Sequence, residues 1–242
     1  MLRIGKSACL MYHQITDDDS YGKFRVGVKD FLSQLEVIKD IGLQSIDLLR
    51  HEPFLLTNGV LITLDDGHES NLFAAHALAE RGLKAVFYIL KKKSLSEPGF
   101  LRTADIAEIS HLGHSVGVHG VDHKWWTTKS DAQLITELKD CKSWLEDITG
   151  SSVITCSAPG GRLTSRVVEN IRMNIPEFRY IRSSVESYNC GDVLRKVLNS
   201  VPICKNTTLS EYTKLITLDR WTYARRLTVY RVKEAIKGVL HR

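Results

Sequence analysis

A single α/β domain built on a parallel sheet or barrel is what the sequence predicts, from three observations. Short aliphatic and β-branched runs alternate with stretches of helical periodicity along the whole chain, the pattern of strand-helix-strand crossovers. Three of the apolar runs stop abruptly at chemically distinctive turns: Val60–Leu64 at Asp65-Asp66-Gly67, Ser115–Val118 at His119-Gly120, and Ile154–Ala158 at Pro159-Gly160-Gly161. The C-terminal ends of parallel strands are where α/β folds place their chemistry. Finally, 242 residues with 43% hydrophobic and 25% charged content suffice for one large globular core, with no internal repeat, low-complexity tract or interdomain linker.

In chain order, Arg3, Gly5 and Lys6 lead directly into a short strand that ends at Leu10-Met11-Tyr12-His13. No apolar stretch of signal-peptide or membrane-spanning length follows Met1, so the expected compartment is the cytoplasm. A polar loop, Thr16–Lys23, precedes an amphipathic helix marked by Phe31, Leu35 and Ile38 and ended by Gly42; Leu43–Leu48 leads toward a second strand. After the Val60–Leu64 strand, Ser70 or Asn71 can cap a helix that Gly82 stops. Ala85–Leu90 reads as a strand followed by a basic turn, Lys91–Lys93, and Thr103 as the cap of a helix carrying Ile106, Ile109 and Leu112. Ser130 and Gln133 form a capping-box pattern ahead of Leu134, Leu138, Cys141 and Leu145, a face that runs to Gly150. A helix starting at Thr164 or Ser165 and a strand from Tyr180 to Ser184 follow.

Adjacent carboxylates repel, so Asp65 and Asp66 each need a cation or a proton; one metal ion satisfies both, although acid pairs at a helix start also serve as caps and dipole partners. His119 and His123 are spaced to converge on one ion from a turn. The Pro159-Gly160-Gly161 turn lets backbone N–H groups approach a substrate oxygen. Trp125 or Trp126 can stack on a sugar ring or simply pack, and Ser184 and Asn189 can reach a substrate or simply make turns.

An acidic pair, a histidine pair and a glycine turn at three successive strand ends, in that order, resemble the polysaccharide deacetylases, the NodB-like branch of carbohydrate esterases. The family's T-F-D-D is matched by Thr63-Leu64-Asp65-Asp66 and its H-S/T-x-x-H by His119 to His123. Its R-x-P-x-G is matched only in its second half, because Ser157 stands where the arginine that orients the base belongs. The late L-x-H motif is absent, and His13 on the N-terminal strand takes its place, as in a rearranged branch of the family. The resemblance implies a distorted NodB-like (β/α) barrel that removes N-acetyl, less often O-acetyl, groups from a carbohydrate during polysaccharide or glycoconjugate biosynthesis. It also implies Asp66, His119 and His123 as ligands of a divalent metal, most simply zinc. Asp65 would be the general base, His13 the general acid, and Pro159, Gly160, Gly161, Trp125 and Asn189 oxyanion or substrate contacts. Two readings stay open beside it: a sugar-binding protein that kept the fold and lost turnover, and an amidase acting on a non-sugar amide.

The catalytic domain is expected over residues 1–218 and a basic amphipathic tail over 219–242. The tail holds seven Lys or Arg against two acids, and seven minus two is the whole net charge of +5. Leu227, Tyr230, Ala235 and Val239 fall near helical spacing among these charges, a pattern suited to an anionic membrane surface or to packing on the domain. On that reading the tail is dispensable for hydrolysis of a small soluble substrate. No recognition motif accompanies the charge, which argues against nucleic acid. Five widely spaced cysteines without a C-x-x-C pair indicate neither a disulfide framework nor a thiolate metal site.

Overall fold

A computed structural model of the chain describes residues 5–18, 22–49, 59–190 and 197–240, with side chains to residue 236. The charges expected from Lys237 and Arg242 in the tail lie outside the described side chains.

Strand β1 (Lys6–Tyr12) is followed by β2 (Gln14–Ile15), which pairs with β3 (Arg25–Val26) in a small separate sheet. Helix α1 (Val28–Asp40) buries Phe31, Leu35 and Ile38 and leaves through Gly42, whose φ of 72° suits a residue without Cβ. The expected second strand shrinks to β4 (Gln44–Ser45), although Ile46 and Leu48 beyond it are still buried. Strand β5 (Gly59–Leu64), helix α2 (Ser70–Glu80) and strand β6 (Ala85–Ile89) follow. Lys91–Lys93 is not a turn. It opens helix α3 (Lys91–Ser96), whose first two amides donate to the Gly120 and Val121 carbonyls and so fasten it to the histidine loop. Helix α4 (Thr103–His111) begins one residue earlier than the capping pattern suggested: Arg102 is the cap, and its amide donates to the Asp105 carboxylate at 2.7 Å.

Strand β7 (Ser115–Val118), helix α5 (Asp131–Thr149), strand β8 (Thr155–Ser157), helix α6 (Ser165–Asn174) and strand β9 (Tyr180–Arg182) complete the repeating part. The Ser130–Gln133 capping box and the left-handed Gly150 bound α5 as the sequence predicted. The chain then returns through β10 (Asn189–Cys190) and β11 (Val201–Pro202) to helices α7 (Leu209–Ile216) and α8 (Arg220–Leu240).

The sheet runs β1-β5-β6-β7-β8-β9, every pair parallel, with β10 antiparallel and β11 parallel to β1 on its outer edge. It curls until its two edges are stitched together: Leu198 bridges Arg182 on β9, and the Ile203 amide donates to Met11 on β1. The result is a distorted (β/α) barrel.

Strand parity then sorts the residues. Leu10, Tyr12, Ile62, Leu64, Phe87, Ile89, Val116 and Val118 point outward into the main core beneath the helices, while Cys9, Leu61, Val86, Tyr88 and Tyr180 fill the barrel interior. Gly117 belongs to the inward set, where a Cβ would lie 2.6 Å from the Tyr88 ring. Each fully buried Leu, Ile or Phe contributes about 1.5–3 kcal/mol relative to exposure, so a register slip of one residue on any strand would be costly. By the same alternation Met11, Asp65, His119, Ser157 and Arg182 fall on the inward side at the C-terminal end of the barrel.

Candidate active site

The first carboxylate is placed by backbone pairing. The Asp65 amide donates to the Tyr12 carbonyl at 2.9 Å, which extends the β1–β5 ladder by one residue and keeps the Asp65 side chain in the inward series. Asp66 and Gly67 then both take left-handed conformations, with φ of 73° and 71°, and break the strand into the turn before α2. His123 is likewise left-handed at φ 58°. Strain of this kind in non-glycine residues persists only where the surroundings enforce it, and two of the three such residues among those described lie in this one turn system.

Asp66 Oδ1 lies 3.2 Å from His119 Nε2 and 3.3 Å from His123 Nε2, and one ligand atom from each residue falls within 4.8 Å of the others. His119 Nδ1 is 2.8 Å from the Ser157 carbonyl. A carbonyl only accepts, so Nδ1 carries the proton and Nε2 turns its lone pair toward Asp66, the arrangement that outer hydrogen bonds impose on a metal-binding histidine. Asp66 Oδ1 is buried and accepts no hydrogen bond. Two imidazole nitrogens and one carboxylate oxygen that converge within 4.8 Å of one another fit a divalent cation.

The second carboxylate has a different partner. Arg182 Nη2 donates to Asp65 Oδ2 and to Ser157 Oγ, while Nη1 donates to Ser200 Oγ at 2.7 Å and touches Met11 Sδ. Asp65 and Arg182 are only 3% and 1% exposed, so this is a buried charge pair that fixes one carboxylate oxygen and leaves the other, Oδ1, buried without a hydrogen-bond partner. Ser157 and Arg182 are Cα partners in the parallel β8–β9 register. The arginine missing at position 157 is therefore supplied from the neighbouring strand, and Ser157 is small enough to let it through. Sequence reasoning placed residues 180–184 on a strand but passed over Arg182. An arginine between Ile181 and Ser183, on the inward parity of a buried strand, was the available signal.

His13 follows β1 and lines the same cleft as Asp65, Asp66, His119 and His123. Its ring stacks on Phe24 with centroids 4.7 Å apart, and its Nδ1 is buried without a hydrogen-bond partner. Burial lowers its pKa, against the pull of the Asp65 and Asp66 carboxylates. Gly160 and Gly161 line the opposite rim with φ of 63° and 67°, and a Cβ on Gly161 would sit 1.9 Å from Ser184 Oγ, so this turn admits only glycine there. The Gly161 amide is committed to the Ala158 carbonyl at 2.8 Å.

Three expected substrate contacts are not at the cleft. Trp125 does not line it: Arg162 covers the indole with its guanidinium 3.6 Å from the ring centre, and the indole edge backs Gly160. Pro159 is buried beneath the glycine turn, where it starts a short 3₁₀ turn that includes Gly160 and Gly161. Asn189 pairs with Ser7 at the far end of β1, and its side-chain amide brackets the backbone of Asn199 through two hydrogen bonds of 2.9 and 3.0 Å. Turn chemistry accounts for Asn189.

The cleft measures about 550 Å³, and α8 supplies one wall of it through Arg225, Arg226, Val229, Tyr230, Lys233 and Glu234. Arg226 is clamped by Glu186 at 2.8 Å and Glu211 at 3.2 Å, and Tyr223 is buried against α7, where its hydroxyl donates to the Leu215 carbonyl. The tail is thus part of the site. Truncation before Asp219, expected to spare hydrolysis of a small substrate, would remove this wall of the cleft.

Residues 57–174 match the polysaccharide deacetylase family model, and that stretch holds the acidic pair, both histidines and the glycine turn. That stretch of the chain is similar to the polysaccharide deacetylase family. A Bacillus subtilis protein named as a polysaccharide deacetylase, YxkH, is 26% identical over 172 residues, which cover 68% of this chain and 60% of the relative; the chain thus spans about 60% of that protein's length. The crystal structure of BA0330 from Bacillus anthracis, described as a polysaccharide deacetylase, superposes with a TM-score of 0.79 at 25% identity, covering 88% of this chain and 69% of the other. The Streptococcus pyogenes deacetylase PplD shares the fold with a TM-score of 0.76 at 20% identity, covering 88% and 99% of the two chains. These likenesses agree with the NodB-like barrel expected from the sequence.

Proposed function

We propose that the chain hydrolyses the N-acetyl group of an acetylated carbohydrate, with zinc held by Asp66, His119 and His123. The observation that carries the reading is the division of labour between adjacent carboxylates: Asp66 converges with two histidines, while Asp65 is held by Arg182 and keeps one oxygen without a partner. A divalent ion on the first set supplies Lewis-acid polarisation of the acetyl carbonyl and of the attacking water.

Asp65 takes a proton from the attacking water as a new C–O bond forms to the acetyl carbon. Arg182 keeps the base oriented through Oδ2, so that Oδ1 is left for the attacking water. The Gly160 amide, the one of the glycine pair not spent on Ala158, donates to the developing oxyanion. As the C–N bond breaks, its electron pair goes to nitrogen, which takes a proton from His13; acetate and a free amine leave, and solvent resets the protons on Asp65 and His13.

Acetate release from N-acetylated oligosaccharides by the zinc-loaded chain is the test. Asp65→Asn should retain metal and lose turnover by about 100- to 10,000-fold. His13→Ala should lose a similar factor on amides and much less on activated acetyl esters, whose leaving groups depart without a proton. Unchanged turnover in Asp65→Asn would overturn the assignment of the base, and equal impairment of His13→Ala on both substrates would overturn that of the acid.

A further inference from the structure

Helix α8 meets the cleft on one side and solvent on the other, and its solvent side is apolar. Trp221 is 84% exposed, Val232 and Ile236 are 54% exposed, and Val229 is 44% exposed. At about 100° per residue these four fall within an arc of about 80°. The arc is not the one that the sequence suggested: Tyr230 is half-buried at the cleft and Leu227 is half-buried beside Tyr188, so the outward stripe consists of other residues. A helix that packs on a soluble domain ordinarily turns its apolar arc inward.

The edges of the arc are cationic. Arg220 and Arg231 flank it on one side and Lys233 on the other, all exposed, while Arg225 lies within it and reaches back to Glu211 at 3.0 Å. An apolar strip with tryptophan at one end and cations along its edges matches an anionic lipid surface, which accepts the apolar side chains at the acyl boundary and the guanidinium and ammonium groups at the phosphates. A second copy of α8 would bring like charges against like. Val229 belongs both to the outward arc and to the cleft wall, and Lys233 both to its flank and to the wall. A lipid plane lying along the arc therefore reaches the rim of the cleft.

We propose that α8 docks the chain on an anionic lipid surface with the cleft rim at that surface, and that the acetylated carbohydrate is presented there by a lipid carrier. The second half rests on the deacetylase reading; the docking half does not. Among the described residues no helix is long and apolar enough to cross a membrane, so the contact is interfacial.

The test uses the full chain and vesicles of mixed phosphatidylglycerol and phosphatidylcholine, with pure phosphatidylcholine as control. The chain should co-sediment with the anionic vesicles, less so at high salt because the attraction is screened. The double variant Val232→Asp/Ile236→Asp should bind about tenfold or more weakly, since two inserted side chains become charged. Its circular dichroism and its hydrolysis of a small soluble acetyl ester should match wild type, because neither residue lines the cleft. Equal sedimentation of variant and wild type, absence of vesicle binding, or a dimer in solution that the variant abolishes would each overturn docking. For the carrier, acetate release from an N-acetylated glycolipid in anionic vesicles should exceed release from the same headgroup in solution by about tenfold, an advantage that the double variant loses. Equal rates in both settings would overturn the lipid-borne substrate. Release from neither, with zinc present and vesicle binding intact, would overturn the deacetylase reading and leave docking standing.

Discussion

On the strand side of the cleft, Asp65, His119 and Arg182 are buried, and each is held by a bond to another buried group; on the helix side, Arg225, Val229 and Lys233 stand in solvent along a helix laid over the barrel mouth. The strand side is fixed by register, since moving any one of these groups means moving a strand. The helix side is fixed by Tyr223, Arg226 and its two glutamates, and its outward residues can change without disturbing the barrel. A site divided in this way keeps its chemistry constant and leaves its reach toward substrate free to vary.

The largest effect should come from breaking the buried pair. Arg182→Met removes the partner of a buried carboxylate and should destabilise the fold by about 3–5 kcal/mol, read from denaturant unfolding, with turnover collapsing in whatever folds. The exchange variant Ser157→Arg/Arg182→Ser tests orientation apart from stability, because these two positions are register partners. It should recover a large part of both losses, whereas Arg182→Ser alone recovers neither. Failure of the exchange would show that Ser200 and Met11, which also touch the guanidinium, fix the arginine to strand β9.

An intermediate effect separates the two histidines. His119→Ala and His123→Gly should each cut zinc content as measured by elemental analysis, but their metal-free stabilities should move in opposite directions. His119→Ala removes a buried ring hydrogen-bonded to Ser157 and should cost about 1–3 kcal/mol. His123→Gly relieves a left-handed backbone and should add about 1 kcal/mol. Equal destabilisation by both would mean that the His123 ring stabilises the loop beyond its role as a ligand. The smallest effect belongs to the helix side: Arg225→Ala breaks an exposed pair with Glu211 and should alter stability by no more than about 1 kcal/mol, with a change in KM and little in kcat.

What was legible in the sequence follows the same division. The strands carrying Asp65, His119 and Gly160 could be read because apolar runs ended at residues with no business in a core, and the capping box before α5 is a local signal that local structure obeys. Arg182 was missed because its meaning depends on a neighbour 25 positions away in the chain that is adjacent only in the sheet. Trp125 was misplaced for a related reason: a stacking surface is defined by what already lies on it, and Arg162 lies on this one. Asn189 was read from its place after a strand, but β10 runs antiparallel to β1 and carries it to the wrong end of the barrel. The tail's charge was plain from composition, and its role as a cleft wall was not, because nothing local decides where a terminal helix comes to rest.

The pairing of Ser157 with Arg182 has a consequence for descent. Moving the guanidinium from one strand to the other takes two substitutions, and both single-step intermediates are burdened: one buries two arginines against a single aspartate, and the other leaves that aspartate alone. A lineage that has crossed this gap has little opportunity to return. Among related barrels the residue at the position of Arg182, read together with its partner at 157, should therefore behave as a branch marker, with the two arrangements separated on the family tree and seldom interleaved.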